Sequence, residues 1–373
     1  MAGPRLTRLS LTGFRNHAQT DLRFDGQLIA FAGPNGAGKT NILEAISLLS
    51  PGRGLRRATY SDMAGASGDG GFAVSAQITS MDHEPGDDPI TIGTGLSGPL
   101  ATSRDVRIDK VSVKSADALL EHVSLLWLTP AMDGLFLGGA SDRRRFYDRM
   151  VMALHPTHGR TAKRFEQAMR ARNKMFDEGV TDLVWFEGVE AQMAEAGATL
   201  QSTRLATLAL LKTAIEDARD AVSAFPHALL DLAGFEGVTT EADYRALLAE
   251  GRARDRAAGR ALQGPHRVDL LVRHGPKDVE AKLASTGEQK ALLIGLILAQ
   301  ARLVSQETGR AAILLLDEIA AHLDERRRAA LYDLCTDLGG QTFMTGTDRS
   351  LFDALPDGSN HFAVDEGKVE PTG

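Results

Sequence analysis

The spacing of apolar and polar positions divides the chain into three stretches. In the first, Leu9 and Leu11 alternate with polar neighbours, and Phe14 follows a turn at Gly13. Phe72, Val74, Ala76 and Ile78 keep a period of two, the spacing of a half-buried strand. Ile90 to Leu96 reads as the returning strand, reached through the turn-forming segment Asp82 to Pro89. Val106 with Ile108 and Val111 with Val113 form a hairpin turning at Asp109-Lys110, and Val123 to Leu128 is a further apolar strand. Among these strands the period changes. Leu28 to Ala32 is a continuous apolar run, fit for a buried strand. From Lys39 to Leu49 the apolar positions Ile42, Ala45, Ile46 and Leu49 share one face of a helix.

From about Ser141 glycine thins, and Ala, Leu, Arg and Glu take over. Ala162 to Asp177, Val184 to Ala224 and Ala242 to Leu262 read as helices, interrupted at Pro226 and at Gly234 to Gly237. No heptad pattern is sustained, so these are packed helices rather than a long coiled coil. The last stretch returns to mixed structure. Gly264-Pro265-His266-Arg267 precedes a short strand, Asp269 to Val272. Glu288 to Gln306 is apolar nearly all round, as in a buried helix. Ala311 to Leu316 and Thr342 to Thr347 are buried strands, and His361 to Val364 with Lys368 to Glu370 close in a hairpin at Glu366-Gly367. The expected architecture is an α/β domain split by an inserted helical lobe.

A length of 373 residues allows two lobes with sizeable cores. The single cysteine, Cys335, excludes an internal disulfide and fits a reducing compartment. No N-terminal stretch has the order of a signal peptide, and the longest apolar run, Ala291 to Ala301, is too short to span a bilayer, so a cytoplasmic location is expected. The net charge of −7 argues against a wholly basic nucleic-acid binder, though it allows a local basic patch. Aromatic residues make up only 5%, too few for base stacking to dominate any nucleic-acid contact.

The chemistry concentrates between the first buried strand and its helix. Residues 33–40 read Gly-Pro-Asn-Gly-Ala-Gly-Lys-Thr, a complete G-x-x-x-x-G-K-T phosphate-binding loop in strand–loop–helix context. Gly33, Gly36 and Gly38 let the backbone curl so that its N–H groups face phosphate oxygens, and the helix N-terminus adds a favourable dipole. Lys39 reaches the β- and γ-phosphates, and the Thr40 hydroxyl ligates Mg²⁺. The chain is expected to bind a nucleoside triphosphate with Mg²⁺. Downstream, Leu314-Leu315-Leu316-Asp317-Glu318 is an apolar strand ending in two carboxylates. Asp317 is placed to hold the metal, and Glu318 to take a proton from the attacking water. Thr40 and Asp317 lie 277 positions apart (317 minus 40), which itself marks a large insertion. Ser285-Thr286-Gly287 opens a helix, a pattern that alone also reads as an ordinary N-cap.

The order of these motifs, followed by Leu323-Asp324, resembles the ATP-binding-cassette (ABC) ATPase heads. Within that superfamily the chain is similar to the RecF family of bacterial recombinational-repair proteins. The matching residues are spread over the chain: Gly13-Phe14-Arg15-Asn16-His17, the phosphate loop with Asn41 and Leu43-Glu44-Ala45, Gly52-Arg53-Gly54-Leu55-Arg56, Asp142-Arg143-Arg144-Arg145-Phe146 with Asp148, Arg172-Asn173, and Gly264-Pro265-His266-Arg267. Thr286 and Lys290 stand where the family pattern has Gln and Arg, Ala321-His322 replace its usual D-loop residues, and Thr347 takes the place of a switch histidine. Near Thr129 to Asp133 there is no Q-loop glutamine. A transporter ATPase subunit would carry both that glutamine and the histidine, and a chromosome-maintenance head would carry a long heptad insert.

The resemblance implies an ABC-type ATPase head, lobe I, from residues 1–113 and 291–373. The mainly helical lobe II, residues 114–290, would end in the signature motif Ser285 and Gly287. It implies a nucleotide set that adds Asn35, Asn41 and Arg15 to the phosphate loop, with Glu318, Lys39 and Asp324 as the catalytic group. Two chains would sandwich ATP between Lys39 of one and Ser285 of the other, as an isologous dimer. The implied activity is a weak, DNA-stimulated ATPase acting as a switch on duplex DNA and gap junctions, aiding RecA loading with RecR-like and RecO-like mediators and without a membrane partner. Candidate DNA-phosphate contacts are Arg53, Arg56, Arg143, Arg144, Lys163, Arg164 and Arg172, with Arg143 to Arg145 alternatively holding the helical lobe together through Asp148.

Overall fold

The computed structural model describes residues 3–65, 70–79, 88–219 and 224–372. The chain forms two compact units. One comprises Met1–Asp133, Ala221–Phe225 and Leu293–Gly373, the other Gly134–Asp220 and Pro226–Leu292.

The first unit begins with strands β1 (Arg5–Phe14), β2 (His17–Arg23) and β3 (Leu28–Ala32), then helix α1 (Lys39–Ser47) and the single turn α2 (Tyr60–Met63). Strands β4 (Phe72–Thr79), β5 (Ile90–Leu96), β6 (Asp105–Ile108), β7 (Val111–Ser112) and β8 (Leu125–Leu128) follow. The second unit contributes helices α3 (Ala140–Leu154), α4 (His158–Asp177), α5 (Leu183–Asp217) and α6 (Glu241–Ala258), with strands β9 (Ala228–Ala233), β10 (Asp269–His274) and β11 (Val279–Glu280). Helix α7 (Thr286–Thr308) leads back into the first unit, which ends with β12 (Ile313–Leu316), α8 (Glu325–Asp337), β13 (Thr342–Gly346), β14 (Asn360–Asp365) and β15 (Lys368–Pro371).

Two six-stranded sheets build the first unit. One is antiparallel, in the order β2-β1-β4-β5-β6-β7. Its period-two positions Leu9, Leu11, Val74, Ala76 and Ile92 are buried, whereas Val111 on the last strand is exposed. The β6–β7 turn sits at Asp109 and Lys110, both with positive φ, as a tight hairpin turn requires. The other sheet runs β15-β14-β3-β13-β12-β8 and is parallel except for β15. Strands β3 and β12 are continuous apolar runs and β13 is buried along its whole length, because both faces of these strands are covered. Phe24, Phe31, Phe343 and Phe362 cluster on it, with ring centroids 5.1–6.4 Å apart. The apolar face of α1 (Ile42, Ala45, Ile46) joins the same core as both sheets. Since β3, β12 and β13 point the same way, the loops leaving their carboxyl ends meet at one edge, where open α/β sheets bind ligands.

The second unit packs helices around Phe165, Met193, Leu200, Tyr244, Leu248 and Val268. It also encloses charge. Arg172 is fully buried and donates to Glu190 (2.9 Å), Asp255 (2.5 Å) and the Leu248 carbonyl (2.9 Å). Glu190 is shared with Arg252. Asp148 receives two bonds from Arg204, at 2.7 and 2.8 Å, and a third from His158. Arg204 also donates to the Pro265 carbonyl at 2.7 Å, fixing the Gly264-Pro265 step to α5. Gly264 has φ 142°, and a Cβ there would collide with the Tyr244 hydroxyl.

Several boundaries differ from the sequence expectation. The lobe boundary lies after Asp133 rather than at 113/114, because Leu125–Leu128 pairs in parallel with Ile313–Leu316 and so belongs to the central sheet. The return falls at Leu293 rather than 291. Most of the turn expected over Asp82 to Pro89 falls on positions outside the described residues, and the helix expected to reach Ala224 ends earlier, at Asp217, with Ala218 as its C-cap. Among the described residues no helix is long and apolar enough to cross a membrane.

Candidate nucleotide-binding site

The loop joining β3 to α1 has the geometry of an anion cradle. Gly36 (φ 84°) and Gly38 (φ 116°) adopt conformations that a side chain rarely permits. Gly33 is needed for space, since a Cβ there would strike the Val364 carbonyl. Lys39 is buried, and its Nζ closes on its own loop, donating to the carbonyls of Gly33 (2.7 Å) and Pro34 (2.8 Å). Burial lowers its pKa, opposed by the charges of Glu318 and Asp317. Asn35 lies exposed at the loop tip.

Two threonine hydroxyls converge on one carboxylate oxygen. Thr40 Oγ1 and Thr345 Oγ1 each donate to Asp317 Oδ1 at 2.8 Å. Asp317 is itself buried. Desolvation pushes its pKa up, the neighbouring Glu318 charge adds to that, and the two hydroxyl bonds with Arg56 counter it. A buried, partly anionic oxygen beside a hydroxyl is a hard-oxygen donor set that suits a small divalent cation such as Mg²⁺. Glu318 follows at φ 55°, outside the ordinary strand region, and its N–H donates to Thr345 Oγ1 at 2.9 Å. Thr345 therefore orients both acidic residues at once. Asp324 is exposed and caps α8, accepting from the Arg327 N–H at 2.8 Å.

A second layer steadies the loop helix. Arg15, itself at φ 55°, makes two bonds of 2.8 Å to the fully buried Glu44 carboxylate and a third of 2.6 Å to the Asp62 carbonyl. Arg56 reaches Asn41 Oδ1 at 2.6 Å and Glu44 at 3.3 Å. Asn41 donates to Asn16 Oδ1 (2.7 Å), and Asn16 donates to the Ala37 carbonyl (2.9 Å). Arg104 caps the far end of the helix, on the carbonyls of Leu48 and Ser50. Arg15 thus braces the loop helix through Glu44.

Ser285 and Gly287 stand exposed in the second unit. The Ser285 N–H donates to Glu288 Oε2 (3.0 Å), and the Glu288 N–H donates to Ser285 Oγ (3.4 Å), a reciprocal cap on α7. Lys277 pairs with Glu288, and that hydrogen bond, with those from Ser285, pulls the carboxyl down to about 2. Among the described residues, apart from its chain neighbours and the adjoining backbone of its own helix, no atom lies within 4 Å of where a Cβ on Gly287 would stand, and its φ is not positive. Nothing in its own chain therefore requires a glycine there.

The basic residues separate by environment. Arg53 and Lys163 are exposed. Arg164 is exposed and paired with Glu195 at 3.1 Å. Arg172, expected as a phosphate contact, is sealed inside the helical unit by Glu190 and Asp255. Arg143 makes two 2.8 Å bonds to Asp269, and half-buried Arg144 donates to the Val268 carbonyl at 3.0 Å. Arg143 and Arg144 do tie their helix to the Val268–Asp269 segment rather than to Asp148, which Arg204 and His158 occupy, while Arg145 pairs with Asp142 of its own helix. Arg56 is engaged with the loop helix. Thr345, Glu44 and Arg104 carry functions that the sequence reading did not assign. For the first the sequence carries no distinguishing signal, since it is one of several threonines around that strand.

The family model described as "RecF/RecN/SMC N terminal domain" matches residues 5–366. A "DNA replication and repair protein RecF" of Rhizobium johnstonii is 55% identical over 372 residues, 98% of each chain. Its counterpart in Agrobacterium fabrum is 53% identical over 373 residues, again 98% of each. Among solved structures, "the recombination mediator protein RecF-ATP in RecFOR pathway" matches with TM-score 0.86 at 23% identity, covering all of this chain and 98% of that one. A Smc head domain from Pyrococcus furiosus matches with TM-score 0.56 at 16% identity, covering 99% and 96%. The structural likenesses establish the ABC-type head fold. The two sequence relatives and the family model together place this chain in the RecF family of DNA replication and repair proteins.

Proposed function

We propose that this chain is an ATP-operated clamp on DNA in recombinational repair, closing as a dimer around two nucleotides and opening after slow hydrolysis. The observation that carries the reading is the convergence of Thr40 and Thr345 on Asp317, beside a complete phosphate loop and with Glu318 next in sequence. In this reading the N–H groups of Gly36 to Thr40 receive the phosphates, and Lys39 leaves the carbonyls of Gly33 and Pro34 for a phosphate oxygen. Thr40 and Asp317 would hold Mg²⁺, which screens the triphosphate charge and polarises the terminal phosphoryl group. Glu318, fixed by its backbone bond to Thr345, takes the proton of the attacking water.

The exposed Ser285–Gly287 step supports a second chain approaching there, since a helix N-terminus with a bare glycine admits a γ-phosphate closely. Loss of that phosphate would remove contacts from both chains, so hydrolysis releases the clamp. Exposed Arg53 and Lys163, with Arg164, are the proposed backbone contacts to duplex DNA and gap junctions. RecR-like and RecO-like mediators and, through them, RecA loading complete the proposed role. The curated relatives' name and the RecFOR pathway named for the matching structure are its support.

Sedimentation on gapped DNA, with and without ATP, tests the clamp. Wild type should dimerise only with ATP. Ser285→Arg should still bind ATP but stay monomeric, and Lys39→Ala should lose both. Hydrolysis at full rate by monomeric Ser285→Arg would refute the shared pocket.

A further inference from the structure

His17 is fully buried directly behind the phosphate loop, and both its ring nitrogens face carbonyl oxygens. Nε2 lies 3.1 Å from the Gly38 carbonyl, and Nδ1 lies 2.9 Å from the Gly367 carbonyl and 3.2 Å from Thr20 Oγ1. A neutral imidazole has one N–H and one lone pair, so it can satisfy only one of the two carbonyls. With its proton on Nε2, the neutral ring donates to Gly38 and accepts from the Thr20 hydroxyl, leaving Gly367 facing a lone pair. The imidazolium donates to both carbonyls. The β14–β15 turn is closely fitted at this point: the Gly367 N–H donates to the Ala37 carbonyl at 2.8 Å, and a Cβ on Gly367 would strike the Asn16 carbonyl. Protonation of His17 therefore draws the hairpin turn, the ring and the phosphate loop into one hydrogen-bonded chain.

We propose that His17 is a buried proton site belonging to the nucleotide pocket, neutral when the loop is empty and protonated when a triphosphate lies in it, so that nucleotide binding takes up a proton. This rests on the loop's binding ATP. The physical reason is charge. Burial alone opposes the imidazolium and holds the pKa below its ordinary 6.5, while the two carbonyls favour it. A triphosphate on the other side of the Gly38 peptide adds several negative charges within a short, poorly solvated distance, and that raises the value. The other charged groups around the ring point elsewhere. Lys39 turns to Gly33 and Pro34, Asp21 pairs with Arg8, Arg15 pairs with Glu44, and Asp365, Glu366 and Lys368 of the hairpin are exposed. His17 would be a positioning residue, acting on the phosphates through the Gly38 carbonyl.

The sign follows from linkage. A group whose pKa rises on binding strengthens binding fully below its free value, and that gain is lost as pH rises through its bound value. ATP affinity should fall by at most about tenfold per pH unit across this window.

Two measurements test the proposal. Calorimetry of Mg·ATP binding in buffers of different ionisation enthalpy counts protons, and NMR titration of the His17 ring reads its pKa with and without Mg·ATP. Wild type should take up a proton fraction that His17→Gln does not, and the His17 resonance should titrate at higher pH in the complex. If His17→Gln fails to fold, the wild-type titration alone decides. Tight ATP binding with no excess proton uptake and an unmoved His17 titration would overturn the proposal alone. Absence of ATP binding by wild type would overturn the nucleotide reading as well.

Discussion

Replacing Thr345 by Val deletes one hydroxyl and keeps the shape of the side chain. That hydroxyl has two partners: it donates to Asp317 Oδ1 at 2.8 Å and accepts the Glu318 N–H at 2.9 Å. Thr345 is fully buried, so water does not replace it without rearrangement. An unsatisfied buried N–H costs about 1–3 kcal/mol, and a lost bond to a carboxylate costs a comparable amount. The two overlap, since relaxing Glu318 from φ 55° recovers part of the first. A net loss of about 2–4 kcal/mol is expected, on the order of 5–15 °C in melting temperature for a unit of this size. Function should suffer separately. Asp317 keeps only Thr40 as an anchor, and orienting groups of this kind typically contribute about 10–100-fold to metal affinity or activity. The assay is thermal unfolding, together with the Mg²⁺ dependence of ATP hydrolysis, for wild type, Thr345→Val and Thr345→Ser. Serine keeps the hydroxyl and should recover most of both properties. Wild-type melting and Mg²⁺ dependence in Thr345→Val would refute the argument. So would a Ser variant as damaged as Val, since the methyl rather than the hydroxyl would then be what matters.

Other consequences are open to direct measurement. Arg172→Met leaves Glu190 and Asp255 buried with one cation fewer, so denaturant unfolding should show a loss of about 3–5 kcal/mol, while ATP affinity at the loop stays within twofold. Arg53→Glu should weaken DNA binding at low salt and reduce the salt slope by about one without shifting the melting temperature. Arg143→Ala should do the reverse, because its guanidinium is committed to Asp269. The Glu288 carboxyl is held at about 2 against an ordinary 4.5, so its contribution is present above pH 4.5 and is lost as pH falls toward 2. The melting difference between wild type and Glu288→Gln should accordingly shrink over that interval, and a difference constant from pH 6 to 2 would contradict the pairing.

The central sheet was legible because buried parallel strands read as unbroken apolar runs, and Leu28–Ala32 and Leu314–Leu316 have little else they could be. The phosphate loop and the Asp317–Glu318 step followed from fixed spacing beside those strands. Thr345 was not legible. A threonine at a strand end has no distinguishing pattern, and its role arises only because β13 lies between β3 and β12. Strand β8 was placed in the wrong lobe for a similar reason, since its partner is separated from it by the whole helical insertion. Arg172 could have been read correctly: Phe165, Ala168, Arg172 and Phe176 step by three and four along α4, which puts the arginine on the apolar face. A basic residue on that stripe belongs with buried carboxylates, whereas Lys163 and Arg164 sit off it.

The strand that launches the phosphate loop has both its neighbours, β13 and β14, near the opposite end of the chain. On a ribosome, β3 emerges early and waits through nearly all of synthesis before either flank is available. A nascent chain therefore has an apolar ribbon without its lateral partners and a glycine loop without its backing hairpin, and it should have no grip on nucleotide until the final segment is released. Maturation of this edge is in this sense a late event, and ATP, able to bind only the finished loop, should hold it in place by mass action rather than hasten its formation.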